Sequence, residues 1–174
     1  MLIIHSVQKL LNTSRLEGFL YITQPNENQL LHCWYARLLA SGSPGKMLVM
    51  YVHEPSLMAV ICKGKTIQGT WEPFLQRLKA LLARHQFPEA FIKNEMAQAE
   101  GYTVSKTNSR SLLSFMNQMA FELEDECRKA GSYESIALDD LEDRMIDRVY
   151  QFGQRVRDHR TPIDYWKQEI GLNS

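Results

Sequence analysis

"LLHCWYARLLASGSPGKMLVMYVHEPSLMAVICKG", residues 30–64, decides the fold. Three apolar runs (LLHCWYARLLA, MLVMYV and LMAVICKG) are separated by two short breaks, SGSPGK and HEPS. The breaks are built from Gly, Pro and Ser, residues that turns demand. Connections this short join antiparallel strands, because a parallel link needs a dozen or more residues. The stretch reads as a three-stranded antiparallel meander. Its runs are apolar on both faces more than alternating, which predicts a sheet covered or partnered on both sides.

Upstream, MLIIH reads as a first strand, VQKLLN as a helical turn, GFLYIT as a short second strand and QPNENQ as a loop. Downstream the period changes. Trp71, Phe74, Leu75, Leu78, Leu81, Leu82 and His85 recur at helical spacing, with Thr70 as the expected N-cap and Pro73 in the first turn. QFPEAF breaks that helix. IKNEMAQAEG is a short helix, YTVSKT one more strand, and a long helix runs from about Ser109 to Arg128. Its stripe is Leu112, Met116, Met119 and Leu123. Asp139 and Glu142 have the spacing of a capping box for a further helix bearing Leu138, Leu141, Met145, Val149 and Phe152. Acidic residues crowd the start of that helix and Arg144, Arg148, Arg155 and Arg157 its end. HRTP stops it, and IDYWKQEIGL is a last short helix. The expected class is α+β: an antiparallel sheet (the meander plus N-terminal strands) packed with helices, with a helical C-terminal third. Residues 1–174 are expected to form a single domain, β-rich over 1–68 and mainly helical over 69–174.

Composition narrows the function classes. The 174 residues carry 20 Lys and Arg against 20 Asp and Glu, so the net charge is zero. Proteins that hold nucleic acid by bulk electrostatics are usually basic, so nucleic-acid binding here requires a local patch. Neutrality also lowers repulsion between copies, which eases self-association and leaves a homo-oligomer open. The three cysteines, Cys33, Cys62 and Cys127, are far apart and form no C-x-x-C, a pattern of buried thiols in a reducing compartment. The start has no signal-peptide features and nothing approaches a membrane span. A cytoplasmic protein without membrane attachment is expected.

The chemistry concentrates in SKTNSRSLLSFM, residues 105–116, where five polar residues run into the long helix. Thr107, Asn108 or Ser109 can cap it. One cap suffices, so capping leaves Lys106 and Arg110 unexplained. A helix N-terminus flanked by two cations suits an anion: a phosphate, a nucleic-acid backbone or a partner's carboxylate. Lys106, Thr107, Asn108, Ser109 and Arg110 are therefore the candidate anion- or partner-binding segment. The segment lacks the glycines of a Walker loop, and no cofactor is expected. The histidines show no helical metal spacing and no H-E-x-x-H, so no metal is expected either. His32 and His53 in or beside strands, with Lys106 and Arg110, are the candidate groups of an alternative, a metal-independent RNA-processing enzyme. Trp34, Tyr35, Tyr51 and Trp71 suit a core better than a base-stacking platform. ELEDE, residues 122–126, suits a solvated helix face better than a cation site.

KTNSRSLLSFMNQMAF, residues 106–121, resembles the K-T-N-S-R-S-V-L-G-x-M-N-D signature of a bacterial family of unknown function. QKLL (Gln8–Leu11), WYARLL (Trp34–Leu39) and Thr161-Pro162 extend the resemblance over most of the chain. It marks Thr107, Asn108, Ser109, Arg110 and Asn117 as matched positions. Arg37 replaces the usual Asn, Ser114 the usual Gly and Gln118 the usual Asp. The resemblance implies no catalytic role. The resulting expectation is a non-enzymatic binding or regulatory protein of a bacterial cytoplasm, antitoxin-like or tied to mobile elements. It would recognise a protein partner or, through a local patch, nucleic acid.

Overall fold

The computed structural model describes residues 1–16, 32–151 and 159–172. The elements run β1 (Leu2–Ser6), α1 (Gln8–Ser14), β2 (Cys33–Ala40), β3 (Met47–His53), β4 (Ala59–Lys63), α2 (Ile67–Arg84), α3 (Glu89–Gln98) and β5 (Tyr102–Lys106). There follow α4 (Arg110–Lys129), α5 (Leu138–Ile146), the two-residue strands β6 (Tyr150–Gln151) and β7 (His159–Arg160), and α6 (Pro162–Glu169). The main sheet has the order β4-β3-β2-β1-β5. The architecture is α+β. The expected meander is β2-β3-β4, antiparallel throughout, with Tyr35 opposite Val52 and Tyr51 opposite Val60. β1 is parallel to both of its neighbours, β2 and β5. The chain travels through helices before each of those pairings, so the short-loop argument never applied to them.

Helices cover both faces, as the continuous apolar runs predicted. On one face Trp34, Tyr51, Val60, Phe74, Leu78 and Trp166 pack together, drawn from the sheet, α2 and α6. On the other, Tyr35, Met50, Ile61, Met116, Met119 and Met145 join the sheet to α4 and α5. Trp34, Tyr35 and Tyr51 are core residues. No described helix is long and apolar enough to cross a membrane.

Several boundaries differ from expectation for identifiable reasons. α2 begins one turn early, capped by Thr66, whose hydroxyl accepts the Gly69 N–H at 3.1 Å. Thr70 is buried inside the helix, bonded to the Tyr51 hydroxyl at 2.7 Å. The expected capping box at Asp139 and Glu142 does not form. α5 is preceded by Ala137 with no side-chain cap, and Glu142 is fully buried. Its carboxylate accepts the Ile61 N–H of edge strand β4 at 2.9 Å and takes both Nε and an Nη of Arg77, at 2.9 and 2.7 Å. A carboxylate that satisfies a sheet edge from inside cannot also reach back to its own helix start. α5 ends at Ile146, and Val149, expected on its apolar stripe, is 59% exposed. The expected strand GFLYIT, the loop QPNENQ, and Phe152, Arg155 and Arg157 lie outside the described residues.

Candidate functional site

β1 and β5 lie side by side and parallel, with Ser6 opposite Lys106 at their carboxyl ends. The helices that follow them leave in opposite directions. α1 buries Leu10 and Leu11 against the Trp34 face, while α4 buries Leu112 and Met116 against the Tyr35 face. Adjacent parallel strands whose following helices part to opposite sides form a switch point, and the crevice outside such a corner is where open sheets bind ligands. The segment Lys106–Arg110 stands at this crevice.

Each of its residues has a distinct place. Ser109 is the N-cap of α4, its hydroxyl accepting the Leu112 N–H at 3.3 Å. Asn108 accepts the hydroxyl proton of buried Tyr35 at 2.6 Å, which ties the helix start to β2. Thr107 is half-buried. Lys106 gives its carbonyl to His5 Nδ1, at 3.2 Å, while its side chain is exposed. Arg110 is exposed as well. Among the described residues neither Lys106 nor Arg110 forms an ion pair, whereas Arg77, Arg84, Arg128, Arg144 and Arg148 all do.

Two stretches that carry the family resemblance meet here. Alternate residues of WYARLL face α4: Tyr35 reaches Asn108, and Arg37 donates to the Asn117 amide oxygen. Glu124 continues the line, accepting the Ala40 N–H at 2.8 Å. Strand period two and helix period 3.6 coincide over one shared face. The rest of the acidic run pairs with cations: Glu122 with Arg148, Asp125 with Arg128 and Lys129, and Glu126 with Lys129 and Arg144.

The two strand histidines are not drawn to this crevice. His53 pairs across from Trp34 on the opposite face, fully buried, with Nδ1 2.7 Å from Ser56 Oγ and its ring stacked on Trp166 at 4.2 Å. His32 is half-buried just before β2, with a buried Nδ1 that has no hydrogen-bond partner.

Beneath the crevice lies a polar group that sequence spacing did not single out. His5 of β1, Cys33 of β2 and Glu54, just past β3, bring one donor atom each to within 4.8 Å of one another. The register explains it. His5 is opposite Tyr35, two residues along from Cys33, and the Glu54 N–H bonds the Cys33 carbonyl at 3.0 Å. His5 is fully buried and stacked on Tyr35 at 4.7 Å. A carbonyl only accepts, so Nδ1 carries the ring proton and Nε2 presents a lone pair. That Nε2 and Glu54 Oε2 are buried with no hydrogen-bond partner. Burial lowers the His5 pKa, against the weaker pull of the Lys106 carbonyl. Burial also raises Glu54, and lifts the Cys33 thiol to about 12 with help from the Glu54 charge. A thiol so protonated is a poor nucleophile, so the trio lacks the poise of a cysteine-hydrolase centre. Residues 5, 33 and 54 fit no local motif. The only clue in the sequence was a His in one apolar strand and a Cys in another.

No curated protein matches this sequence. Residues 3–165, and with them every residue of the crevice and of the buried trio, match the domain of unknown function DUF6933, and the chain belongs to that family.

Proposed function

We propose that this is a non-enzymatic binding protein of the cytoplasm that docks an acidic segment of a protein partner at the start of α4. The observation that carries the reading is the pair of exposed cations, Lys106 and Arg110, which have no internal counter-charge among the described residues while Asn108 and Ser109 do the structural work beside them. The helix start adds its own unpaired N–H groups and partial positive charge. A protein partner is favoured over nucleic acid because two cations on a chain of zero net charge give little counterion release. It is favoured too by the face of α4 itself. Arg110, Ser114, Asn117 and Phe121 share one exposed stripe, and Phe121 is 73% exposed. The stripe sets a cation and an aromatic ring about 16 Å apart. Arg and aromatic side chains are the groups that anchor protein interfaces. In this reading the Asn and Ser of KTNSRS build the corner, and its Lys and Arg use it.

The test is capture from native cells with a photo-crosslinking residue at Ser114. A crosslinked protein that is lost with Arg110→Glu, reduced with Phe121→Ser and weakened by salt supports the reading. A crosslink to nucleic acid, or one indifferent to Arg110→Glu, overturns it.

The alternative enzyme reading requires His32 or His53 to work beside Lys106 and Arg110. The burial of His53 among Trp34, Trp166 and Ser56 on the opposite face favours the binding reading.

A further inference from the structure

We propose that His5, Cys33 and Glu54 form a binding site for a divalent first-row transition-metal ion, with zinc the commonest ion for such a donor set. The inference does not rest on the partner-docking reading.

Three observations converge. The donors are a ring nitrogen, a thiol sulfur and a carboxylate oxygen, the three ligand types of zinc sites, and they sit within 4.8 Å of one another. Tetrahedral bonds of zinc-like length place donors roughly 3.5 Å apart, so small side-chain rotations close the site. Second, two of these three side chains carry a buried atom without a hydrogen-bond partner, His5 Nε2 and Glu54 Oε2. Buried polar atoms are almost always satisfied, so two unsatisfied ones within a single cluster of metal-ligand types call for a ligand there. Third, His5 Nδ1 donates to the Lys106 carbonyl. Metal-bound histidines typically donate their other nitrogen in this way, which fixes the ring and leaves the ligating lone pair facing the ion.

Glu54 is partly exposed and gives the ion its way in from solvent. On binding, the Cys33 S–H loses its proton to water and the thiolate ligates, with the carboxylate of Glu54 and the neutral imidazole of His5. Three protein ligands leave a fourth position for water. Because the His5 ring is fastened to the last residue of β5, the ion would brace the turn that leads into α4.

The experiment uses the full chain, freed of metal with a chelator and titrated with Co²⁺, whose thiolate charge-transfer and d–d absorption report a sulfur ligand in a tetrahedral field. The wild type is expected to take up one equivalent, give both bands, release Co²⁺ to Zn²⁺, and melt at a higher temperature with metal than without. Cys33→Ser should abolish the charge-transfer band, and Glu54→Gln, a near-isosteric change, should weaken binding by roughly tenfold or more. Cys62→Ser and Cys127→Ser should leave the spectrum unchanged. If Cys33→Ser fails to fold by circular dichroism, Glu54→Gln decides. A wild type with no thiolate band at saturating Co²⁺, or a Glu54→Gln protein that binds as tightly as wild type, overturns the proposal.

Discussion

The two faces of the sheet are sealed by different chemistry. Under α2 and α6 the contacts are mainly rings, beside one buried hydrogen bond from Tyr51 to Thr70: Trp34 meets Phe74 edge-on at 5.0 Å and Trp166 at 6.3 Å, and His53 stacks on Trp166 and lies tilted against Trp34. Under α4 and α5 an apolar layer of methionines and leucines is fastened at its margins by polar links. These are Tyr35 to Asn108, Arg37 to Asn117, Glu124 to Ala40, and Glu142 to Ile61 and Arg77. Ring packing is strong and forgiving of small shifts, whereas hydrogen bonds fix position. One face therefore mainly supplies stability. The other sets where α4 begins, and with it the crevice, the exposed cations and the buried His-Cys-Glu group.

The sharpest way to break this contrast is Trp34→Ala. It removes the ring shared by Phe74, His53 and Trp166, and should cost about 4 kcal/mol in urea unfolding. A loss under 1 kcal/mol would mean that the aromatic face is not the main source of stability. Next comes Arg77→Ala. It leaves buried Glu142 with the Ile61 N–H and, as its only remaining cation among the described residues, Arg84, 3.5 Å away, and should cost about 3 kcal/mol. A near-neutral result would show that Glu142 takes up a proton without strain. Burial favours that protonated form, and the Arg77 bonds oppose it.

Smaller in size but more telling for the corner is Tyr35→Phe. Loss of the bond to Asn108 should cost about 1 kcal/mol, since exposed Asn108 can turn to water. A double-mutant cycle with Asn108→Ala measures the coupling, and additivity within 0.3 kcal/mol or so would show that the link does not hold the helix start.

A separate prediction concerns pH. Burial alone lifts the Glu95 carboxyl on α3 to about 7. Its folded pKa is thus above the unfolded one, so the folded state holds the proton more tightly. The associated stability is fully present below about pH 4.5 and is lost as pH rises through 7. Denaturation midpoints measured between pH 4 and 8 should fall with pH, and Glu95→Gln should flatten that fall. An unchanged slope in the variant would assign the pH dependence elsewhere.

Much of the build was legible along the chain. The SGSPGK and HEPS turns announced the meander, and the Leu112, Met116, Met119 and Leu123 stripe announced α4, because turn chemistry and periodicity are local. A cap among Thr107, Asn108 and Ser109 was legible for the same reason, and the structure selects Ser109. Thr70 resembles a cap along the chain, but its hydroxyl is buried against Tyr51, and Thr66 one turn earlier does the capping.

What the sequence determined by itself was therefore local: where strands and helices form, the zero net charge, and the concentration of polar residues before α4. Only the tertiary structure decided the parallel placement of β1 between β2 and β5. That placement carries His5 to Cys33 and Glu54 across 28 and 49 positions of chain and sets Lys106 at the exposed end of β5, while the packing of α5 on the far edge strand β4 turns Glu142 from an expected cap into a cover for that edge. Strand register and the side to which each helix departs depend on which surfaces bury one another, and that is a property of the whole chain collapsing together, not of any stretch of it.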